Sequence, residues 1–140
     1  MFKLSTKGFT IIEALVAITV LLIGIIAVTA FFPMSLKIIS DSEATTTATN
    51  MALAKIEEIQ AMPYETITVG NFESKHHLSI NTSDYLYNFQ RETTINYLDS
   101  NLNDGLNDIG LKKISVTVYW ISNIGKNEKS LTINTIRSTY

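Results

Sequence analysis

The sequence predicts an α+β protein in which one long N-terminal helix packs on a small antiparallel β-sheet. Three observations predict this class. Residues 14–36 contain no charged side chain, residues 37–62 continue with an amphipathic helical pattern, and the C-terminal half contains short runs that alternate apolar and polar residues. The length of 140 residues favours one compact domain rather than two.

The uncharged run is long enough to cross a membrane. At about 1.5 Å of rise per residue, its 23 residues form a helix of about 34 Å, against a hydrocarbon core of roughly 30 Å. Lys3 and Lys7 precede the run and predict a cytoplasmic N-terminus, with the bulk of the chain outside. A secretory signal peptide would have a shorter apolar core and an A-x-A cleavage site. We therefore expect a single-pass protein of the cytoplasmic (inner) membrane.

Glu13 is an acidic residue at the start of this run. On insertion scales an acidic side chain at mid-bilayer costs about 2.5–3.5 kcal/mol. Its position leaves two interpretations open. Glu13 either lies among the lipid headgroups and stays hydrated, or it pairs with a positive group at the same depth. The sequence supplies such a group only if the chain is cut nearby.

The residues around Glu13 point to such a cut. The segment KGFTIIEALVA, residues 7–17, closely resembles the class III signal sequence of type IV pilins and pseudopilins. In that family a membrane-embedded prepilin peptidase cleaves after the glycine and methylates the new N-terminal phenylalanine. The resemblance therefore implies cleavage between Gly8 and Phe9, N-methylation of Phe9, and removal of residues 1–8 as a leader peptide. The apolar run lies after the cut and is retained.

The same resemblance gives Glu13 a partner. In this family, the glutamate of one subunit is thought to meet the N-terminal ammonium of its neighbour as subunits leave the bilayer. An unpaired carboxylate in a low-dielectric helical bundle is penalised, so this salt bridge would couple the stagger of the subunits to charge neutralisation. The implied partners are prepilin peptidase, other pilin or pseudopilin subunits, and the inner-membrane assembly platform.

Residues 37–62 predict the second half of the same helix. Apolar side chains recur there at a spacing of three or four residues, at Ala48, Ala52, Ile56 and Ile59. Pro63 predicts the end of the helix. We expect residues 9–36 to form the transmembrane and assembly half, and residues 37–62 to pack on the head. The three threonines at residues 45–47 are poor helix formers and are expected to loosen the helix locally.

Residues 63–140 predict a globular β-sheet head. Period-two alternation marks three strands, at residues 85–97, at residues 114–120 and in a returning strand that begins at Leu131. Residues 122–128 contain a glycine and predict the hairpin loop before the last strand. Residues 64–83 show no sustained period, which indicates a connecting loop with a short strand at residues 65–69. The sheet is therefore expected to have three or four strands.

A long helix followed by this sheet matches the pilin fold. A finer resemblance is to minor pilins and pseudopilins of the PilV and GspI type. It is carried by ALAKIEEI at residues 52–59, by VTVYW at residues 116–120 and by LTI at residues 131–133. Many major pilins close a C-terminal loop with a disulfide. This chain contains no cysteine, which disfavours that class.

The sequence predicts neither an enzyme nor a cofactor. It lacks a G-x-S-x-G elbow, a P-loop and a G-x-G-x-x-G motif. His76 and His77 are adjacent and are interpreted as solvated loop residues. With 11 basic residues against 13 acidic ones, the net charge of -2 argues against nucleic-acid binding. The aromatic residues of the first strand are interpreted as sheet packing rather than a stacking platform: Tyr85, Tyr87 and Phe89.

The segment DSNLNDGLND, residues 99–108, is a weak calcium candidate. Alternating oxygen-bearing side chains at Asp99, Asn101 and Asn103 could ligate the ion, with Asp104 and Asp108 adding charge. An EF-hand loop requires glycine at its sixth position and glutamate at its twelfth, where this chain has Asp104 and Gly110. Asn, Asp and Gly are also common in long turns, and the sequence favours a turn here.

These observations predict a structural subunit, of the minor kind, in a type IV pilus, a type II secretion pseudopilus or a competence pseudopilus. The alternative is a single-pass, membrane-anchored extracytoplasmic binding domain that does not polymerise. This alternative predicts that residues 1–8 are retained and that Glu13 is dispensable.

Overall fold

The computed structural model describes residues 8–139 and confirms the α+β architecture, with one long N-terminal helix followed by a small antiparallel sheet. Helix α1 spans Ile11–Gln60. The strands are β1 (Gly70–His77), β2 (Phe89–Leu98), β3 (Asp104–Gly105), β4 (Leu111–Ile121) and β5 (Glu128–Ser138). The described residues up to Ile38 form one unit, and the residues from Ile39 onward form a second unit, the head. Each is described separately below.

The sheet has the strand order β1-β2-β4-β5, and the two-residue β3 pairs with β2. All neighbouring strands are antiparallel. The β4–β5 pair is the longest, running without a register shift from Leu111 opposite Ser138 to Ile121 opposite Glu128. The predicted hairpin loop between these strands is confirmed.

The core of the head lies between one face of α1 and one face of the sheet. The predicted stripe is confirmed, since the helix buries Ala44, Ala48, Ala52, Ile56 and Ile59. The sheet contributes Phe89, Ile95, Ile114, Val116, Val118 and Trp120. Ala48 and Ala52 are both 0% exposed, and their small side chains allow the helix backbone to approach the sheet closely.

The predicted strand at residues 85–97 begins later than expected. Residues Tyr85–Asn88 form a 3₁₀ turn, and β2 begins at Phe89. The side chain of Asp84 caps this turn by accepting a hydrogen bond from the backbone N–H of Leu86 at 3.0 Å. An N-terminal cap thus overrides the alternating pattern at these four residues.

The prediction of a loop at residues 64–83, with a strand at 65–69, was wrong. Residues Tyr64–Thr66 form a 3₁₀ turn, and β1 follows at Gly70–His77. Two register shifts interrupt the pairing of β1 with β2, and most of its residues are exposed. A bulged edge strand loses strict alternation, so it gives no period-two signal.

The three threonines at residues 45–47 do not interrupt α1. The hydroxyl of Thr45 donates to the carbonyl of Asp41 at 2.9 Å, and that of Thr46 donates to Ser42 at 3.1 Å. These bonds satisfy the hydroxyls within the helix. The burial of Ala44 and Ala48 against the head holds the stretch helical despite its low propensity.

A half-buried carboxylate, that of Glu73, joins β1 to β2 and approaches α1. Glu73 accepts two hydrogen bonds from Arg91, at 2.9 and 2.8 Å, and one from Thr93 at 2.9 Å, and its Oε1 lies 3.9 Å from Nζ of Lys55. Burial alone would raise the pKa of Glu73, but these hydrogen bonds and charges outweigh it and the pKa is lowered. The network holds the edge strand in place despite its irregular pairing.

Asp41 joins α1 to the β4–β5 hairpin. One carboxylate oxygen accepts a hydrogen bond from the Ser122 hydroxyl at 2.7 Å, and the other accepts one from Nζ of Lys129 at 2.5 Å. The neighbouring Ser40 accepts a hydrogen bond from Asn123 at 2.9 Å. The hydrogen bond from Lys129, followed by that from Ser122, lowers the pKa of Asp41.

We predict that overpacking the stripe destabilises the head. Ala52→Leu forces a larger side chain into a filled site and should lower the free energy of unfolding by about 1–3 kcal/mol. The matched control is Ala54→Leu, because Ala54 is exposed on the same helix. Denaturant unfolding of the full chain in detergent micelles, followed by tryptophan fluorescence, measures both. Equal stability of the two variants would contradict the packing described here.

We also predict a pH dependence that arises from Asp41. Its pKa lies below the ordinary value of 3.8, so its contribution to stability is complete above that value and is lost as the pH falls through 3.8 and then through the folded-state pKa. Asp41→Asn should lower stability near neutral pH and flatten the acid limb of the stability curve. Glu43→Gln removes an exposed carboxylate from the same helix and should leave that limb unchanged. An unchanged acid limb in Asp41→Asn would contradict this role.

Candidate assembly site at the start of the helix

The predicted cleavage bond lies in an exposed segment without regular secondary structure, just before α1. Gly8, Phe9 and Thr10 are all exposed, and Phe9 is 81% exposed. A Cβ atom built on Gly8 would meet nothing within 4 Å. The described part of the chain therefore does not itself require glycine at this position. A requirement for glycine would have to come from an enzyme that approaches the backbone closely.

Thr10 and Glu13 form a capping box at the N-terminus of α1. The backbone N–H and the hydroxyl of Thr10 both donate to Oε2 of Glu13, at 2.9 and 2.7 Å. The backbone N–H of Glu13 donates back to the Thr10 hydroxyl at 3.3 Å. These reciprocal bonds satisfy N–H groups that a helix start leaves without an intrahelical partner.

The capping box holds the Glu13 carboxylate at the N-terminal end of the helix, where the helix dipole favours negative charge. The carboxylate therefore lies within one helical turn of the predicted N-terminus, Phe9. The sequence predicts a positive partner for Glu13 on another subunit, whereas its partner within the chain is the neutral Thr10. The pattern T-x-x-E, read as a capping box, would have identified Thr10.

The first unit presents apolar side chains on all sides of α1. Every described residue up to Ile39 is exposed, and these residues include Ile, Leu, Val, Phe and Met side chains on every face. Among the described residues, α1 is the one helix whose length and composition would allow it to cross a membrane. Such a surface requires an apolar surrounding, supplied by lipid or by other helices.

The polar side chains of this apolar run make bonds within the helix. The hydroxyls of Thr19, Thr29 and Ser35 donate to the carbonyls of Leu15, Ile25 and Phe31, at 2.8, 3.1 and 3.2 Å. Backbone and side-chain polar groups are thus satisfied internally, as hydrocarbon surroundings require. Glu13, at the start of the run, is the acidic group that such surroundings would have to accommodate.

The two histidines lie on β1 rather than in a loop, which corrects the sequence-based interpretation. Both are exposed. His76 Nε2 lies 3.5 Å from Glu73 Oε1, whereas His77 stacks on the ring of Tyr87 with the ring centroids 4.2 Å apart. The adjacent histidines thus have different partners and do not converge on a common site.

The calcium candidate residues are close in sequence, but both of their carboxylates already have partners in the head. Asp99 Oδ1 accepts hydrogen bonds from the backbone N–H groups of Asn101 and Asn103, at 2.8 and 2.9 Å. Asp104 pairs with Lys113 and accepts a hydrogen bond from Asn96. Within residues 8–139, no group of three or more His, Cys, Asp or Glu side chains could hold a metal ion. The loop geometry favours the turn over a calcium site.

Comparison with known families places a recognised motif on this helix start. Residues 3–29 match the model of the prokaryotic N-terminal methylation motif. Gly8, Phe9, Thr10 and Glu13 all lie in the matched segment, together with part of the predicted leader, whose residues 1–7 lie outside the described structure. Searches of curated proteins and of solved structures gave no match.

The motif, the long apolar helix and the small antiparallel sheet together support a protein of the type IV pilin-like, membrane-anchored class. The matched motif supports a class III signal that leads into α1.

We predict that the capping box determines the order of the first helical turn. Thr10→Val removes the hydroxyl but keeps the branched shape, and it should speed amide hydrogen exchange at residues 11–13. Thr10→Ser retains the hydroxyl and should exchange like the unmodified chain. NMR of the chain in detergent micelles measures these rates. Equal exchange in the Val and Ser variants would show that the hydroxyl does not order this turn.

Proposed function

We propose that this protein is a structural subunit, of the minor type, in a type IV pilus or a related pseudopilus. It is made as a precursor with its N-terminus in the cytoplasm and its head outside. Prepilin peptidase cleaves between Gly8 and Phe9 and methylates Phe9. The mature subunit then leaves the bilayer and joins a filament through residues 9–36. The observation that carries this proposal is the methylation motif at the start of a helix that exposes apolar residues on every side up to Ile39.

In this proposal, two apolar surroundings cover the exposed half of α1 one after the other. Lipid tails cover it in the membrane, and helices of neighbouring subunits would cover it in a filament. Because both surroundings are apolar, the transfer gains little from the hydrophobic effect and depends on packing and polar contacts between helices. Glu13 is therefore positioned to influence this transfer, since it is the ionisable group at the start of this surface.

The geometry around Glu13 supports a role in assembly. In the uncut chain its carboxylate accepts hydrogen bonds from the N–H and hydroxyl of Thr10. These bonds are neutral, so the negative charge itself is not compensated by them. The ammonium at Phe9 of a neighbouring subunit would supply that compensation after cleavage, and an apolar surrounding would make the attraction strong.

The proposed function implies three partners: prepilin peptidase, the other subunits of the filament and an inner-membrane assembly platform. The absence of cysteine and the segments at residues 52–59 and 116–120 favour a minor subunit of the PilV or GspI type. A type IV pilus, a type II secretion pseudopilus and a competence pseudopilus all use such subunits. The account assigns no catalytic activity to the chain.

We predict that Glu13→Ala is cleaved normally but is depleted from filaments. Loss of the salt bridge should lower its share of the sheared filament fraction about tenfold, which corresponds to roughly 1.4 kcal/mol per incorporated subunit. Glu13→Gln keeps the size and should behave like the Ala variant, since it also lacks the charge. Quantitative immunoblotting of membrane and filament fractions measures both variants.

The control is Glu43→Gln, which removes an exposed carboxylate from the same helix and should incorporate normally. Normal incorporation of Glu13→Ala would contradict the role proposed for Glu13. Absence of the unmodified chain from every filament fraction, with residues 1–8 retained, would instead favour the non-polymerising, membrane-anchored binding domain.

A further inference from the structure

Strand β5 is an open edge of the sheet. Among the described residues its one neighbour is β4, and the two strands pair over all 11 residues of β5 without a register shift. Residues 130–136 contain no charged residue, no proline and no glycine. An edge strand of this kind presents backbone N–H and C=O groups that another extended chain can pair with.

The opposite edge, strand β1, is built differently. Two register shifts interrupt its pairing with β2, and its eight residues include Glu73, Lys75 and two histidines. Bulges and charged side chains are the features by which natural sheets keep an edge strand from pairing with other chains. Residues 130–136 of β5 have neither feature. The sheet is therefore protected at one edge and open at the other.

The backbone groups of β5 point alternately toward β4 and toward the open edge. At the hairpin, the N–H of Ser122 donates to the carbonyl of Asn127 at 3.0 Å. At the other end, the N–H of Thr139 donates to the carbonyl of Gly110 at 3.1 Å. Residues that bond to the neighbouring strand alternate with residues that do not in an antiparallel ladder, and no register shift separates these two bonds. The even-numbered residues of β5 therefore direct their N–H and C=O groups to the open edge, and in the uncharged segment these are four exposed residues: Ser130, Thr132, Asn134 and Ile136.

The apolar core is incompletely covered along this edge. On the helix side of β5, Leu131 and Ile133 pack against the core and are half-buried. Their partners on β4, Val118 and Val116, are both 0% exposed. The cover over the sheet is therefore complete at β4 and partial at β5.

Helix α1 borders the same edge with a further apolar side chain. The amide of Gln60 donates to the Thr135 hydroxyl at 3.1 Å, so this face of α1 lies beside β5. Leu53 precedes Gln60 by seven residues, about two helical turns, and is therefore on the same face; it is 43% exposed. A strand added to β5 would cover this margin if it placed apolar side chains at every second position, on the helix side.

A cation without an ion-pair partner lies near the end of β5. Arg137 is half-buried, and its guanidinium forms no salt bridge with another residue of the described range 8–139. It lies directly opposite Lys112 on β4, and like charges in opposed positions destabilise a sheet. Because the backbone of Arg137 bonds to β4, an added strand would meet it in the closer, non-hydrogen-bonded geometry. An acidic side chain opposite Arg137 would offset the excess of positive charge.

A second copy of this chain does not supply that acidic side chain. The acidic residue of β5, Glu128, has an even number and lies on the other face of the strand from Arg137. On β1, the Glu73 carboxylate is already held by Arg91 and Thr93. The chain that fits the edge is therefore a different polypeptide.

We propose that the open edge of β5 binds an extended segment of a partner protein by strand addition. The segment pairs antiparallel to β5, with apolar side chains at alternate positions on the helix side and an acidic side chain opposite Arg137. A single head contains the whole edge, so this binding is independent of the proposed filament role.

Amide hydrogen exchange of the full chain in detergent micelles, followed by NMR, measures the two sides of β5 separately. Without a partner, the amides of Thr132 and Asn134 should exchange about tenfold or more faster than those of Leu131 and Ile133, which bond to β4. The probe is the acetylated and amidated peptide DTVTVTVT, which places its aspartate opposite Arg137 and its valines on the helix side. We expect it to slow exchange at Thr132 and Asn134, in a saturable manner, and to leave Leu131 and Ile133 unchanged.

Two N-methylated versions of this peptide test whether backbone pairing causes the binding. Methyl groups on its two central threonines block N–H groups that face β5 in this register, and they should raise the Kd about tenfold or more. Methyl groups on its first two valines block N–H groups that face away from β5. The valine-methylated peptide should keep its Kd within about twofold of the unmodified peptide.

Substitutions in the protein test the same groups from the other side. Asn134→Pro removes one N–H from the open edge and should raise the Kd about tenfold or more, whereas the control Asn134→Thr keeps that N–H and should bind like the unmodified chain. Slow exchange at Leu131 and Ile133 verifies that the Pro variant keeps its β4–β5 ladder. Arg137→Gln should weaken binding of the aspartate peptide about threefold and leave a peptide with threonine in that place unaffected.

Four results would each overturn the proposal. They are no slowing at Thr132 and Asn134 with the peptide, equal binding of the two N-methylated peptides, equal binding by Asn134→Pro and Asn134→Thr, and an unchanged Kd for the aspartate peptide in Arg137→Gln. Slowing at Thr132 and Asn134 that grows with protein concentration, without any peptide, would identify a second copy as the occupant and would also overturn it.

Discussion

The burial of one helical stripe against the sheet is the interaction on which the rest of the head depends. Ala48 and Ala52 bring the helix backbone close to the sheet, and Ile56 and Ile59 fill the space toward the end of α1. Without the helix, the sheet face formed by Ile95, Ile114, Val116 and Val118 would lose the apolar surface that covers it. Polar contacts then fix the helix at both ends of the stripe, through Asp41 on the β4–β5 hairpin and through a hydrogen bond from Gln60 to Thr135.

The N-terminal half of α1, by contrast, has no described part of its own chain to cover its apolar side chains. Up to Ile39 its side chains are exposed on every face, so this part of the chain is complete only in lipid or among other helices. One continuous helix therefore has two kinds of surface, a narrow stripe for its own head and an all-round apolar surface for its surroundings. The capping box formed by Thr10 and Glu13 lies at the N-terminal end of this all-round apolar surface. It holds the Glu13 carboxylate in a defined position. This division would allow one element to complete the head core, to anchor the chain and, in the proposed function, to serve as the assembly surface.

Much of this architecture could be predicted, and the failures have identifiable physical causes. The stripe and strand β4 follow strict periods of about 3.6 and 2, because each buries one face. Strand β1 was missed because bulges and exposure remove its alternation, and its Glu73 is held by partners distant in sequence. The 3₁₀ turn at Tyr85–Asn88 was taken for strand because its Asp84 cap was not recognised.

The central claim is that the mature subunit begins at Phe9, at the start of the apolar surface. Mass spectrometry of the N-terminal tryptic peptide, from cells with an active prepilin peptidase, tests it most directly. Trypsin cuts after Lys7 in the uncut chain, so an unprocessed protein gives a peptide from Gly8 to Lys37, whereas a processed one gives a peptide from Phe9 to Lys37. The account predicts the shorter peptide with one added methyl group on Phe9, in the membrane and filament fractions alike. A peptide that still carries Gly8, without its shorter counterpart, would contradict it.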